Sequence, residues 1–271
     1  MSDYYRGQRS RNIFDPNDKK PYRLSRSKIE NYLRCERCFY LDRRLGVDAP
    51  PGFPFSLNAA VDHLLKKEFD THRAKGEAHP LMKSYGVKAI PFKHKDLDKW
   101  RENFVGVEHL HLPTNLLITG AVDDVWQLEN GDLIVVDYKA TSKDEEVTLD
   151  AEWQKGYKNQ MEIYQWLFRQ NGFKVSPTGY FVYVNGKRDA KAFDGKLEFE
   201  VKLIPYLGDT AWIEPTILKL KECLMSEAIP PASEACDYCL YRDHAGTAFK
   251  NQVEWNQKNK GGQSALFLLS R

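Results

Sequence analysis

Polar and apolar positions along the chain sort into helical and strand-like stretches. Apolar residues recur at helical spacing over Leu57–Arg73, at Ala60, Val61, Leu64, Leu65 and Phe69. A second helical stripe, Trp153, Tyr157, Gln160, Tyr164 and Leu167, runs through Leu149–Gln170. A third long helix is expected over Thr210–Met225, with Pro215 tolerated in its early turns. Near the start, Ser27-Lys28-Ile29-Glu30 has the form of a capping box. It predicts a helix whose apolar side holds Ile29, Tyr32, Leu33, Phe39 and Tyr40 and which is broken by the prolines and glycine of Asp48–Pro54. Between the helices lies a meander. Phe104–Leu112 alternates, Pro113-Thr114-Asn115 turns, and Leu116–Leu128 reads as one long strand. Glu129–Asp132 turns again into a strand over Leu133–Ala140, and Tyr180–Val184 and Leu197–Leu203 are further strands. Residues 74–100 show no clear period. The order helix, three strands, helix, strand predicts an α/β (α+β) fold with a mixed central sheet flanked by helices. Residues 1–20 read as a polar arm, 21–245 as a single domain and 246–271 as a loose tail.

Composition narrows the class only a little. With 271 residues, 42% hydrophobic and 29% charged, the chain has ample material for a core and none of the bias of a disordered chain. The net charge of +2 demands no polyanionic partner. Its distribution is more informative. Lys20, Arg23, Arg26, Lys28, Arg34, Arg37, Arg43 and Arg44 face only Glu30, Glu36 and Asp42 over residues 20–44, which is either a phosphate-contacting patch or a solvated helix face. No run approaches the ~20 apolar residues of a membrane span. The polar start has no leader-like apolar run, so a cytoplasmic, reducing location is the default expectation.

The sharpest local signal is a hairpin. Gly120-Ala121-Val122-Asp123-Asp124-Val125 is followed, past Asn130-Gly131, by Ile134-Val135-Val136-Asp137-Tyr138-Lys139. Asp137 and Lys139 are two apart on a strand and share a face, while Tyr138 points away and leaves its carbonyl near them. Their partner depends on the turn. A two-residue loop at Asn130-Gly131 pairs Asp124 with Asp137, whereas a three-residue loop, Asn130 to Asp132, sets Asp123 opposite Lys139 on the face of Asp137. Both registers stay open at this point. Two carboxylates and a lysine converging on one point suit a divalent ion beside a phosphodiester, with Mg²⁺ or Mn²⁺ neutralising the phosphate and the lysine aiding the attacking water. An edge hairpin with cross-strand ion pairs is the plainer alternative, although charges at the end of so apolar a strand are costly without a purpose.

Gly-x-x-Asp on one strand and Asp-x-Lys on the next resemble the RecB-like, CRISPR-associated-exonuclease-like branch of the PD-(D/E)XK nucleases. Gln160-Met161-Glu162-Ile163-Tyr164 resembles the Gln-x-x-x-Tyr of that family's following helix. Leu24-Ser25-Arg26-Ser27 and Cys35-Glu36-Arg37-Cys38-Phe39-Tyr40-Leu41 resemble its opening segment. The resemblance spans roughly residues 22–245 and implies a restriction-endonuclease-like core. It implies Asp123 and Asp137 as metal ligands with the Tyr138 carbonyl, Lys139 as the catalytic lysine, and Gln160 and Tyr164 along the substrate side. The family also supplies a histidine or acidic ligand from a helix before the sheet. His63 stands at that place, with Asp62 and Glu68 as rivals and with Ala59 where the family often has glycine. His109 and His111 share a strand face and read as exposed strand residues rather than ligands.

Cys35 with Cys38, and Cys236 with Cys239, form two Cys-x-x-Cys pairs near the ends of the expected domain, while Cys223 reads as core. In a reducing compartment such pairs favour metal ligation over disulfides. Four thiolates suit Zn²⁺ or a [4Fe–4S] cluster, with buried unligated cysteines as the plainer alternative. Several RecB-like relatives hold a cluster on one early and three late cysteines. Here Ala245 stands where a third late cysteine is expected.

The expected function is a Mg²⁺-dependent deoxyribonuclease acting on single-stranded DNA or DNA ends in repair, recombination or CRISPR-type defence, with a helicase or integrase as a partner. Its rival is a non-catalytic DNA-binding or structural subunit that keeps the nuclease fold.

Overall fold

The computed structural model describes residues 7–50, 52 and 56–268. The chain forms two compact units, one of Phe14–Glu30 and Pro51–Met225, the other of Met1–Ile13, Asn31–Pro50 and Ser226–Arg271. The first holds all the strands and is called the sheet unit; the second is the cysteine unit.

In chain order the sheet unit has β1 (Tyr22–Ser25), the first turn of α1 (Arg26–Arg34), α3 (Ser56–Lys75), α4 (Pro80–Ser84), β2 (Ala89–Pro91) and α5 (Leu97–Arg101). There follow β3 (Val107–His111), β4 (Leu116–Gly120), β5 (Asp124–Leu128), β6 (Leu133–Thr141) and, after a 3₁₀ turn at Glu152–Gln154, α6 (Lys155–Gln170). Then come β7 (Thr178–Gly186), β8 (Phe199–Leu207) and α7 (Ile213–Met225). A five-stranded sheet has the order β2-β5-β6-β7-β8, and a three-stranded one the order β1-β4-β3. The central pair β6–β7 is parallel. A parallel pair needs a long crossover, and α6 supplies it. β6 is buried along Leu133–Tyr138, as a central strand covered on both faces should be. α6 touches β3, β4 and β6 and is buried without interruption from Asn159 to Phe168. Phe69 on α3, Trp126 on β5, and Ile134, Val136 and Tyr138 on β6 meet in one core cluster.

The long strand expected over Leu116–Leu128 is two strands in two sheets. The chain leaves the ladder at Ala121–Asp123 because Gly120 is pressed against α6, where a Cβ would lie 2.6 Å from Tyr164 Cε1. Gly106, at φ +68°, backs onto the same peptide, with its notional Cβ 2.4 Å from the Gly120 carbonyl oxygen. Val122 then donates its N–H to the Trp100 carbonyl on α5 instead of to a strand.

The first helix also differs from expectation. Residues 22–25 pair with β4 as a parallel strand, so the helix starts at Arg26 and Glu30 is not a cap. Glu30 accepts instead from Asn159 Nδ2 at 3.0 Å. The helix stops at Cys35, whose extended backbone (φ −164°, ψ 110°) starts α2 (Glu36–Leu45) in the cysteine unit. Gly46, left-handed at φ 74°, ends α2. Of the polar arm, residues 1–6 lie outside the described residues. Arg9 is tied down by an ion pair with buried Asp42 at 2.5 Å. α8 (Asp237–Leu268) remains helical across the stretch expected as a loose tail, while residues 269–271 lie outside the described ones. No described helix is long and apolar enough to cross a membrane.

One buried charge cluster holds the sheet unit together. Asp124, fully buried, accepts from Arg73 at 2.5 Å, Arg101 at 2.8 Å, the Tyr138 hydroxyl at 2.9 Å and its neighbour's amide at 2.7 Å. Removing one partner of a buried ion pair strands the others, which costs about 3–5 kcal/mol. Asp124→Ala is therefore expected to lower unfolding stability in urea by about that amount. Arg188→Ala, which breaks only the exposed pair with Asp144, should change it by about 0–1 kcal/mol. Equal effects would refute the assignment of Asp124 as the structural anchor.

Candidate active site and cysteine cluster

The β5–β6 register decides which carboxylates meet. Asp124 pairs with Val136 and Gln127 with Leu133, and Leu128 donates to the Asp132 carbonyl at 2.9 Å. The loop is thus Glu129–Gly131, three residues long but one position earlier than the three-residue alternative, and Gly131 (φ 89°) makes its left-handed turn. Asp124, Trp126, Val136 and Tyr138 then share the core face. Asp123, Asp137 and Lys139 share the other.

On that face the structure brings together five of the expected residues. Asp137 is fully buried at the end of β6, with the Lys139 ammonium against its Oδ2. Gln160 donates through Nε2 to Asp137 Oδ1 at 2.7 Å and to the Tyr164 hydroxyl at 3.1 Å, and accepts from Lys139 at 3.4 Å. Gln160 is thus buried and bridges Asp137, Lys139 and Tyr164. Asp123, 23% exposed, accepts the Tyr138 N–H at 2.8 Å. Tyr138 turns its ring into the core. Burial pushes the Asp137 carboxyl up to about 7; Lys139 opposes the shift and Asp123 adds to it. Apart from the lysine charge, Asp137 Oδ2 accepts no hydrogen bond of ordinary geometry among the described residues. A buried carboxylate oxygen in that state is the donor atom a divalent cation would use.

His63 is not among the residues gathered. It is exposed on α3, whereas its neighbour Asp62 reaches the site. Lys66 Nζ bridges Asp62 at 2.8 Å and Asp123 at 3.6 Å. Burial, then the charge of Asp123, pushes the Asp62 carboxyl up. Asp62, Lys66, Phe69 and Arg73 form the inward stripe of α3, and His63 falls about 100° off it. Glu68 is engaged elsewhere, with His79 at 2.9 Å. Arg26, the first residue of α1, also acts on the site: its charge opposes the rise at Asp137, and its Nε is buried without a hydrogen-bond partner among the described residues. The sequence placed Arg26 in a basic patch and in the Leu24-Ser25-Arg26-Ser27 segment that resembles the family's opening, without a role at the site. Lys139 further lies 4.6 Å over the Tyr157 ring. His111 and His109 are not the exposed strand residues expected. His111 is buried between Thr114 and Glu214, and the His109 ring packs edge-on against Trp166.

The four paired cysteines meet in the cysteine unit. Cys35, Cys38, Cys236 and Cys239 are buried and unbonded, with sulfurs all within 4.8 Å of one another. Individual separations are 3.8 Å for Cys35–Cys239, 3.5 Å for Cys38–Cys236 and 3.6 Å for Cys38–Cys239. Burial raises the Cys35 thiol, but the Ser233 amide and neighbouring groups outweigh it and leave it at about 7. Cys38 is pushed well up by burial and by the other thiols. Arg242 donates to Cys239 Sγ at 2.9 Å. Four thiolates so close together repel, and only a cation among them would let all four ionise. Cys223 lies in the sheet unit, half-buried on α7.

Comparison with known proteins agrees with this geometry. No curated protein matches the chain. A solved structure titled "Crystal structure of SSO0001" is similar at 16% identity over 79% of this chain and 82% of that one, with a TM-score of 0.35, too loose a likeness to argue from. The family model described as the PD-(D/E)XK nuclease superfamily matches residues 23–244, a span that takes in β1, the carboxylate hairpin, α6 and all four clustered cysteines. On that match the chain belongs to the PD-(D/E)XK nuclease superfamily.

Proposed function

We propose that the chain is a divalent-metal-dependent deoxyribonuclease of the RecB-like branch. The observation that carries this reading is the convergence of Asp123, Asp137 and Lys139 on one face of the hairpin, with Asp137 fully buried and its Oδ2 against the Lys139 ammonium. Asp123 and Asp137 would hold Mg²⁺ or Mn²⁺ together with the Tyr138 carbonyl, and Asp62 would take the role first given to His63. When bound, the ion supplies neutralisation of the phosphate and acidification of a water. The chain's own groups do the rest. Gln160 holds Asp137 and Lys139 in one arrangement, and Tyr164 supports Gln160. Lys139 directs its ammonium to the attacking water and to the charge that develops on the phosphate. Arg26 offers a further donor to a non-bridging phosphate oxygen.

The cysteine cluster supports a second bound ion. A tetrahedral zinc–sulfur site has bonds of about 2.3 Å, which sets sulfur–sulfur edges near ~3.8 Å. Three of the six sulfur–sulfur separations, at 3.5–3.8 Å, match that edge, and all six fall within 4.8 Å. A four-iron cluster takes one thiolate at each of its corners and spreads the sulfurs farther. We therefore propose Zn²⁺ in preference to [4Fe–4S]. Anaerobically purified protein should be colourless, with about one zinc per chain by elemental analysis. A brown protein with broad visible absorbance would overturn the zinc assignment.

Lys139→Ala should lower Mn²⁺-dependent cleavage of DNA by about a hundredfold or more, as loss of a charge-stabilising donor does. Asp62→Asn should also lose most activity, while His63→Ala keeps it. Cleavage by Lys139→Ala at the wild-type rate would rule the mechanism out.

The raised pKa of Asp137 sets a pH dependence. Its proton must leave before the carboxylate can ligate, so protons compete with metal below about pH 7. Apparent Mn²⁺ affinity, measured by calorimetry, should be flat above that pH and fall about tenfold per unit below it. Affinity that is unchanged between pH 5 and pH 8 would be inconsistent with Asp137 as a ligand.

A further inference from the structure

We infer that Trp153 and Tyr157, with Lys143, form a track that stacks an unpaired base of the DNA strand being cut; the inference rests on the nuclease reading above. Trp153, in the 3₁₀ turn that leads into α6, and Tyr157, in the first turn of α6, have ring centroids 5.4 Å apart and planes at 82°. Tyr157 lies under the Lys139 ammonium. Trp153 is 58% exposed, and the Lys143 ammonium lies 5.7 Å from its ring centre. From the carboxylate pair the path thus runs through Lys139, Tyr157 and Trp153 to Lys143, two neighbouring aromatic rings with an ammonium at either end.

A lone exposed tryptophan needs no explanation. Placement and rigidity set this one apart. Gln154, its neighbour, is fully buried, accepts from the Ala151 amide at 3.0 Å and donates to the Thr148 carbonyl at 2.6 Å, which fixes the turn that carries Trp153. Lys143 is fixed as well. Its amide donates to Asn185 Oδ1 at 2.9 Å, and Asn185 Nδ2 returns to its carbonyl at 3.0 Å. The backbone that carries Trp153 and Lys143 is therefore held before any strand arrives, which limits the conformational entropy lost on stacking.

The chemistry selects for single strands. Every base has a π-face, so a fixed aromatic ring binds strands with little sequence preference. Inside a duplex both faces of a base are already stacked and cannot reach Trp153. Lys143 is then free to meet the phosphate of the stacked nucleotide. The track accordingly favours single-stranded DNA or frayed ends over paired DNA.

The test is Mn²⁺-dependent cleavage, read as kcat and KM, on oligothymidine and on an abasic strand of equal length and charge. Loss of one stacked base by alanine substitution weakens binding about 5- to 150-fold. Trp153→Ala should raise KM on oligothymidine within that range, leave kcat near wild type and leave the abasic strand unaffected. Trp153→Phe should keep most of the wild-type behaviour, which separates stacking from a folding defect. An equal loss on both strands, or no loss on either, would overturn the inference and leave the nuclease reading intact. No cleavage of either strand by the wild type would overturn that reading, and the inference with it.

Discussion

A carboxylate shut away from water at the end of an apolar strand is the constraint on which the site depends. Ionised Asp137 is unfavourable where it stands unless positive charge is brought to it. Lys139 supplies one charge from two residues along the same strand, Arg26 adds another from α1, and Gln160 holds one oxygen from α6. These groups come from the central strand, from the crossover helix and from the helix that follows the parallel strand of the smaller sheet. The parallel β6–β7 pair is what places α6 across β6. Sheet topology and site chemistry are thus one arrangement: without the crossover no Gln160 would reach Asp137.

Asp123 and Asp124 show how one step along a chain separates chemistry from stability. Asp124 falls on the core face, where two arginines and two aromatic side chains saturate it. Asp123 falls on the opposite face, partly open, with a backbone amide and a distant lysine. The arginine-bound residue is closed to any further ligand. The other retains lone pairs. A register slip of one residue would exchange these environments, setting Asp123 among the core arginines and Asp124 on the partly open face. The three-residue turn with Gly131 in the left-handed region is therefore as much a part of the site as the carboxylates.

The central features were legible in the sequence because they are local. An unbroken apolar run marks β6, alternate positions put Asp137 and Lys139 on one face, and Gln160 and Tyr164 are one helical turn apart. What escaped depends on contacts between distant segments. The break after Gly120 arises from the close approach of Tyr164 and Gly106, and nothing in Leu116–Leu128 itself shows it. The choice between Asp62 and His63 turned on the phase of α3. Its apolar residues are spread too widely to reveal that phase, and Leu57 and Leu64 are in fact exposed. The short elements α4, β2 and α5 escaped because three to five residues carry too little period to read.

The cysteines illustrate the same constraint with the opposite sign of cost. In the sheet unit one buried anion is balanced by side-chain cations already present. In the cysteine unit the described cation at the sulfurs is Arg242, which sits beside Cys239, and one guanidinium cannot neutralise four thiolates. With protons on the thiols the cluster is a small apolar core; with the protons removed it needs a multivalent ion. The extended residue at Cys35 separates α1 from α2, and both of its neighbours remain helical. Cys35 stands at the N-cap of α2 and Cys38 in its first turn, and their sulfurs lie close to those of Cys239 and Cys236. A multivalent ion shared by the four thiolates would stabilise that arrangement.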